Sequence, residues 1–173
     1  LELKPTGFNK VVSNPPYQIS TRLLRWLIMS LPERIVLTLQ REFASKLTAP
    51  PGSGKYVYTS FLSQLLYQAK VVERVPRTAF RPIPRVDSAV VVMERVRGDL
   101  PSREELMLIK LLFTKRRRTL RRVLIDVSKR LGIDMKEIEA SFSSENLSKR
   151  IYTLNPSELI SCANTLIKTR ARR

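Results

Sequence analysis

The order of strand-like and helix-like segments constrains the fold of this chain more than any other feature. Two apolar runs, residues 8–13 and 34–40, are each followed by a helical repeat, and this alternation is typical of an α/β sheet with parallel strands. Two further β-branched runs, residues 69–75 and 88–96, are bounded by prolines, and we predict that they pair as antiparallel strands. The predicted helices of this part span residues 21–31, 42–47 and 58–68.

After Gly98 and Pro101 the sequence contains helical repeats alone. Gly132 suits the left-handed residue that follows a helix, and Asn155 suits the N-cap of a helix that begins at Pro156. We therefore predict two domains, an α/β domain over residues 1–98 and a helical domain over residues 99–173. The predicted helices of the second domain span residues 103–113, 119–131, 135–142 and 156–168.

The first apolar run ends in Asn14-Pro15-Pro16-Tyr17. The Asn14 side-chain oxygen and the Pro15 backbone carbonyl can each accept one N–H of an amine. Tyr17 can stack on the ring that carries that amine, and Pro16 moves Pro15 out of helical geometry and stiffens the turn. This arrangement suits the holding of an exocyclic amino group during methylation. A strand followed by a proline-rich turn and a helix start explains the same residues equally well.

A second proline-braced segment, residues 80–88, precedes the last predicted strand and presents Phe80 between Arg77, Arg81 and Arg85. Such a loop suits the binding of a base turned out of its stack, because an aromatic ring can cover the face of the base while arginines bind phosphates. On these residues alone, a rigid connection with Phe80 in the core explains the segment slightly better.

The amino-acid composition excludes several kinds of catalytic and metal site. The absence of histidine excludes histidine acid–base catalysis, Ser-His-Asp triads and the usual zinc sites, so we predict no metal. Methyl transfer to an amine, which needs no base of near-neutral pKa, fits better. The single cysteine, Cys162, excludes an internal disulfide, and we interpret it as a small core side chain of a protein from a reducing cytosol. No apolar stretch approaches the ~18–20 residues of a membrane span.

The net charge of +17 predicts a partner rich in phosphate, with an anionic membrane surface as the weaker alternative. The basic residues are densest in the segment 115–122, where six of eight side chains are cationic. A solvated helix face usually mixes charges of both signs, so we interpret this segment as a nucleic-acid-binding helix start. Its basic residues are Lys115, Arg116, Arg117, Arg118, Arg121 and Arg122.

Together these segments resemble the rRNA adenine N6,N6-dimethyltransferases of the kasugamycin-resistance type, and the archaeal and eukaryotic branch is the nearest. The most specific part of the resemblance is Phe-x-Pro-x-Pro-x-Val-x-Ser at residues 80–88, because Asn-Pro-Pro-Tyr also occurs in DNA adenine and protein glutamine methyltransferases. The other matching segments are residues 14–20, 39–44, 51–56, 116–120 and 124–126.

The resemblance implies the C-terminal half of a Rossmann-like class I methyltransferase sheet followed by a small helical RNA-binding domain. It implies transfer of methyl groups from S-adenosylmethionine to N6 of adenines in small-subunit rRNA during ribosome biogenesis. Asn14, Pro15, Pro16, Tyr17 and Phe80 would be catalytic, and Asn14 would also contact the cofactor. Two alternatives stay open: a non-catalytic rRNA-binding assembly factor, and an adenine-N6 DNA methyltransferase, which the 80–88 loop disfavours.

The sequence departs from this family at two points. The usual family residue at position 15 is leucine, a change that keeps the carbonyl. The family's cofactor site begins with a glycine-rich loop after the first strand, but the only closely spaced glycines here lie in Gly52-Ser53-Gly54-Lys55, which follows no strand and lacks the spacing of a phosphate-binding loop. We therefore expect the cofactor-binding half to be missing, and residues 8–13 to form an exposed edge that could pair with another chain.

Overall fold

The protein is described here by a computed structural model that covers residues 8–96 and 100–171. These residues form two compact units. One unit comprises the chain up to Pro50 together with the segment from Thr59 to Leu100. The other comprises Pro51–Tyr58 and the chain from Pro101 onward. The short segment 51–58 therefore belongs with the helices, although it lies inside the α/β part of the sequence.

The first unit is built on a four-stranded sheet with the strand order β1-β2-β4-β3. β1 runs parallel to β2 and β3 is antiparallel to β4, as the sequence predicted, and β4 is in addition antiparallel to β2. β4 therefore lies between β2 and β3, and its first residue, Ser88, pairs with Gln40 at the end of β2. The strands are β1 (Lys10–Ser13), β2 (Arg34–Gln40), β3 (Tyr67–Val75) and β4 (Ser88–Arg95).

Three helices accompany this sheet: α1 (Ser20–Ser30), α2 (Arg41–Leu47) and α3 (Tyr58–Leu66). α1 ends where Leu31 adopts the left-handed conformation, with φ of 54°. The predicted helix over residues 58–68 is two residues too long, because Tyr67 and Gln68 pair with β4 instead. Fully buried apolar side chains from helices and strands fill the space between them, among them Leu24, Ile35, Leu37, Leu39, Phe61 and Met93.

β1 is an edge strand of the described sheet, as the sequence predicted. The side chain of Val12, in the middle of this strand, is 81% exposed, although valine is favoured in strands that are packed on both faces. Pairing of this edge with another chain stays a prediction.

The second unit consists of α4 (Arg103–Phe113), α5 (Leu120–Leu131), α6 (Met135–Ala140), α7 (Ser144–Ser148) and α8 (Pro156–Ala171). The predicted caps are confirmed. Asn155 Oδ1 accepts the backbone N–H of Glu158 at 2.9 Å, and Gly132 follows α5 with φ of 69°. Sequence periodicity missed α7, which at five residues is too short to show a helical repeat.

The segment 51–58 is held in the helical unit by its backbone and by one buried ring. Gly52, with φ of 87°, donates its N–H to the Tyr152 carbonyl at 2.7 Å. The Arg116 guanidinium donates to the Gly54 carbonyl at 3.0 Å, and the buried ring of Tyr56 lies 5.7 Å from that of Phe113. The glycines of this segment thus serve a structural turn.

Within the described ranges, no helix is long and apolar enough to cross a membrane. The same ranges hold no group of three or more His, Cys, Asp or Glu side chains placed to bind a metal ion. Cys162 is buried, and its burial, aided by the negative charge of Glu158, raises the pKa of the thiol to about 12. The thiol is therefore protonated at neutral pH, in agreement with its interpretation as a core side chain.

Candidate nucleic-acid site

The turn after β1 takes its shape from two successive prolines. Pro16 is extended, with φ of −54° and ψ of 133°, and its carbonyl accepts the N–H of Ile19 at 3.1 Å. This bond closes a short 3-10 turn, Tyr17–Ile19, which runs directly into α1. The chain therefore leaves the end of the strand in a fixed direction, and Asn14 and Tyr17 lie on either side of the two prolines.

An open cavity of about 290 Å³ brings this turn together with the proline-braced loop before β4. Such a volume lies at the small end of the ~300–1,000 Å³ that ligand pockets enclose. Phe80 is half-buried and lines the cavity, so the alternative that placed it in the core is wrong. We call this space the aromatic cavity; its lining residues are Asn14, Pro15, Pro16, Tyr17, Phe80, Arg81, Pro82 and Pro84.

Two hydrogen-bond acceptors near the end of β1 have no partner among the described residues. Asn14 is exposed, and within the described residues its side-chain amide has no hydrogen-bond partner. Pro15 is buried as a residue, and no N–H of the described chain donates to its carbonyl. The two groups that the sequence singled out as amine acceptors are therefore not used by the fold.

The Tyr17 side chain is held by a residue that the sequence analysis did not assign to the site. The Tyr17 hydroxyl and Ser88 Oγ share a hydrogen bond of 2.5 Å. Ser88 is fully buried at the start of β4, so the bond ties the half-buried tyrosine to the sheet. The only sequence signal for this role was that Ser88 closes the proline-rich motif.

Loss of this anchor has an unequal effect on its two members. Tyr17→Phe leaves a fully buried hydroxyl without a partner, and we expect the free energy of unfolding to fall by about 1–3 kcal/mol. Ser88→Ala should cost less than Tyr17→Phe, because the half-buried tyrosine hydroxyl can bind water instead. Urea unfolding followed by the fluorescence of Trp26, the single tryptophan, measures both values in the first unit. Unchanged stability of Tyr17→Phe would contradict the anchoring role.

The three arginines predicted beside Phe80 do not lie together. Arg81 lines the aromatic cavity, whereas Arg77 and Arg85 line a second cavity of about 390 Å³. The loop between β3 and β4 separates the two groups, because its middle faces one cavity and its two ends face the other. The sequence could not show this division, since all three arginines occupy similar positions around Phe80.

The basic segment at the start of α5 is partly used by the fold. Lys115 pairs with Asp126 at 2.5 Å, and this hydrogen bond holds the pKa of the Asp126 carboxyl below its usual value. Arg121 pairs with Glu139 at 2.7 Å, and Arg116 binds the Gly54 carbonyl. In the part of the chain that the structure describes, three exposed side chains of this segment form no hydrogen bond or ion pair, although the charge of Arg118 also acts on Asp126: Arg117, Arg118 and Arg122.

Residues 5–153 match the protein family described as ribosomal RNA adenine dimethylase. The chain belongs to this family. It is 40% identical over 158 residues to a Thermococcus gammatolerans protein named "Probable ribosomal RNA small subunit methyltransferase A", and 35% identical over 169 residues to a protein of the same name from Methanosarcina mazei. These matches cover 88% and 95% of the chain but 55% and 62% of the two relatives.

Solved structures confirm the expected α/β methyltransferase fold. A dimethyladenosine transferase from Plasmodium falciparum superposes with a TM-score of 0.83, over 97% of this chain and 70% of that protein. The 23S rRNA methyltransferase ErmE superposes with a TM-score of 0.63, over 94% of this chain and 67% of that protein. Both are 22% identical in sequence, so the likeness concerns the fold alone.

Proposed function

We propose that this chain supplies the adenine-holding and RNA-binding part of an rRNA adenine-N6 dimethyltransferase of the small ribosomal subunit. The observation that carries the proposal is the aromatic cavity, which unites Asn14, Pro15 and Tyr17 with Phe80, a residue more than sixty positions away in sequence. The family match and the names of the relatives support the choice of rRNA as substrate.

The cavity supports a mechanism based on holding one amino group. An adenine turned out of its stack would lie against Tyr17 and Phe80, and its N6 hydrogens would be accepted by Asn14 Oδ1 and the Pro15 carbonyl. Two accepted hydrogens draw the nitrogen lone pair out of conjugation with the ring and fix its direction. Catalysis by these residues would then consist of positioning and of electrostatic stabilisation of the charge that develops on nitrogen.

The same acceptors allow a second cycle. A monomethylated N6 retains one hydrogen, so one of the two acceptors suffices to hold it while the other becomes free. The proton lost from nitrogen in each cycle passes to solvent, which accords with a chain that contains no histidine.

S-adenosylmethionine, when bound to an enzyme of this kind, supplies an electrophilic methyl group. The described glycines follow helices and no strand: Gly52 and Gly54 lie after α2, and Gly132 follows α5. Among the described residues, Asn14 alone is proposed to contact the cofactor, and the other proposed catalytic residues act on the base.

Transfer of labelled methyl groups tests the proposed function. A chimera in which this chain replaces the segment it matches in the Thermococcus gammatolerans relative is incubated with small ribosomal subunits that lack the modification. We expect label in dimethyladenosine of the small-subunit rRNA. A folded chimera that binds the subunits without transferring label would support the non-catalytic assembly factor. Label in adenine of duplex DNA, offered in a parallel incubation, with none in the subunits would support the DNA methyltransferase.

The arginines of the segment 115–122 that form no ion pair should determine how strongly RNA binding depends on salt. Replacing Arg117, Arg118 and Arg122 with alanine is expected to reduce the slope of log affinity against log salt by about 2, because each phosphate contact contributes roughly 0.7–0.9. Arg116 is left in place, since its guanidinium also holds the segment 51–58.

A charge-matched variant controls for net charge in this experiment. Arg103, Lys110 and Lys136 are exposed cationic residues on other helices of the same unit. Their replacement with alanine removes the same three charges and should change the slope by less than half as much. Equal slopes for the two variants would contradict a specific phosphate-binding role of the segment.

A further inference from the structure

The second cavity of the first unit is formed by the end of β2, the start of α2 and both ends of the loop between β3 and β4. We call it the arginine cleft, and it has a volume of about 390 Å³. The middle of the same loop, from Phe80 to Pro84, lines the aromatic cavity. One rigid loop thus forms a wall of two cavities of different chemistry. The residues of the arginine cleft are Gln40, Arg41, Glu42, Arg77, Arg85, Val86 and Asp87.

Asp87 organises the arginine cleft from within. Its Oδ1 accepts the backbone N–H of Arg77 at 3.2 Å, and its carbonyl accepts the backbone N–H of Arg41 at 3.0 Å. Its Oδ2 lies 3.5 Å from the Arg41 guanidinium, an ion pair in which the arginine side chain is 64% exposed. The backbone of the cleft is therefore fixed by hydrogen bonds, whereas the Arg41–Asp87 ion pair is long and exposed, and such pairs are weak.

The guanidinium groups of the cleft exceed the carboxylates available to them. Among the described residues, the side chains of Arg77 and Arg85 have no hydrogen bond or ion pair. Glu42 also lines the cleft and forms an exposed ion pair with Lys46 at 2.7 Å, so three guanidinium groups face two carboxylates, each of which has an ion-pair partner. The planar guanidinium is matched to phosphate oxygens, and two unpaired groups in one fixed concavity favour an anionic ligand.

We propose that the arginine cleft binds a phosphodiester of the RNA strand, adjacent to the nucleotide whose base enters the aromatic cavity. This inference rests on the proposed function. Arg77 and Arg85 contact the phosphate oxygens, and Arg41 exchanges its long ion pair with Asp87 for the phosphate. Because one loop lines both cavities, binding of the RNA phosphate and binding of the adenine base are coupled.

Binding of a short adenine-containing oligoribonucleotide to the 173-residue chain, followed by fluorescence anisotropy, tests the proposal. Arg77→Gln with Arg85→Gln should lower the affinity about tenfold and reduce the salt slope by about 1.5. Arg25→Gln with Lys70→Gln is the matched control, because it removes two exposed charges of the same unit outside both cavities. An equal loss in the control would overturn the proposal.

Two further measurements identify the ligand. A neutral methylphosphonate in place of the phosphodiester on one side of the adenine should weaken binding by the wild type about tenfold, but binding by the Arg77/Arg85 double variant less than twofold. Equal weakening of both would show that a different phosphate, or no defined one, occupies the cleft. Asp87→Asn keeps an oxygen for the Arg77 N–H and removes the competing charge, so it should raise affinity about threefold; unchanged or lower affinity would count against the proposal.

Phe80→Ala separates failure of this inference from failure of the proposed function. If Phe80→Ala weakens adenine binding while the arginine variants match their control, the cleft proposal is wrong and the adenine site stands. If neither weakens binding, the proposed function fails together with the inference.

Discussion

Replacing Asn14 with alanine is expected to lower the rate of methyl transfer about 10²–10³-fold, the usual effect of removing one preorganised electrostatic contact from an active site. The affinity for RNA should fall only about threefold, because most of that affinity comes from phosphate contacts. The reason for the large effect on rate is that the free Asn14 oxygen is one of only two acceptors proposed for the amino group. Without it, the nitrogen lone pair remains in conjugation with the ring.

The substitution is measured in the chimera, with single-turnover transfer for the rate and anisotropy for the RNA affinity. Asn9→Ala provides a matched control, because Asn9 is an exposed asparagine just before β1, whereas Asn14 is just after it. The control should retain nearly full activity. An Asn14→Ala chimera with a rate within about threefold of the parent would remove this residue from the mechanism.

Replacing either of two phenylalanines of the first unit with alanine should affect different properties, stability for Phe61 and RNA binding for Phe80. Phe61 is fully buried in α3, and its truncation is expected to lower the free energy of unfolding by about 3–5 kcal/mol. That loss is a large part of the ~5–15 kcal/mol that stabilises an ordinary domain. Phe80 is half-buried at the cavity, so its truncation should cost less than about 1.5 kcal/mol of stability. It should instead weaken RNA binding about tenfold, because base stacking on an aromatic ring contributes ~1–3 kcal/mol.

Trp26 fluorescence during urea unfolding reports stability in this unit for both variants, and anisotropy with an adenine-containing oligoribonucleotide reports binding. Phe61→Ala is measured for binding only under conditions where it is folded, and its affinity should then be normal. If the two substitutions lowered the free energy of unfolding equally, Phe80 would have to be a core residue. Normal RNA affinity of Phe80→Ala would remove the stacking role.

The sequence predicted the bounds of a helix or strand well where a proline or glycine lies close to it. β2 and α4 match the predicted ranges residue for residue, and each begins two residues after a proline, Pro32 and Pro101. The structure differs where distant partners decide the outcome. β3 begins at Tyr67 because that residue pairs with Arg95 of β4, and no periodicity of the segment 58–68 encodes this pairing.

For the candidate site as well, the sequence predicted the separate parts but not how the fold brings them together. The Asn14–Tyr17 turn and the Phe80 loop were recognised separately, and the fold places them in one cavity. Local reasoning treated the arginines as one set, but the fold separates Arg81 from Arg77 and uses Arg116 to hold a turn. Such assignments depend on the direction of side chains in the folded molecule, which charge density along the sequence does not contain.

We propose that the chain recognises the amino group of adenine through the acceptors at the end of β1. The most direct test compares binding of two short oligoribonucleotides that differ only at one base, adenine or purine without the 6-amino group. We expect the adenine oligonucleotide to bind about tenfold more tightly, and the difference to shrink in Asn14→Ala, because the hydrogen bonds to N6 are then reduced. Equal affinities of the wild-type chain for both oligonucleotides would contradict the claim.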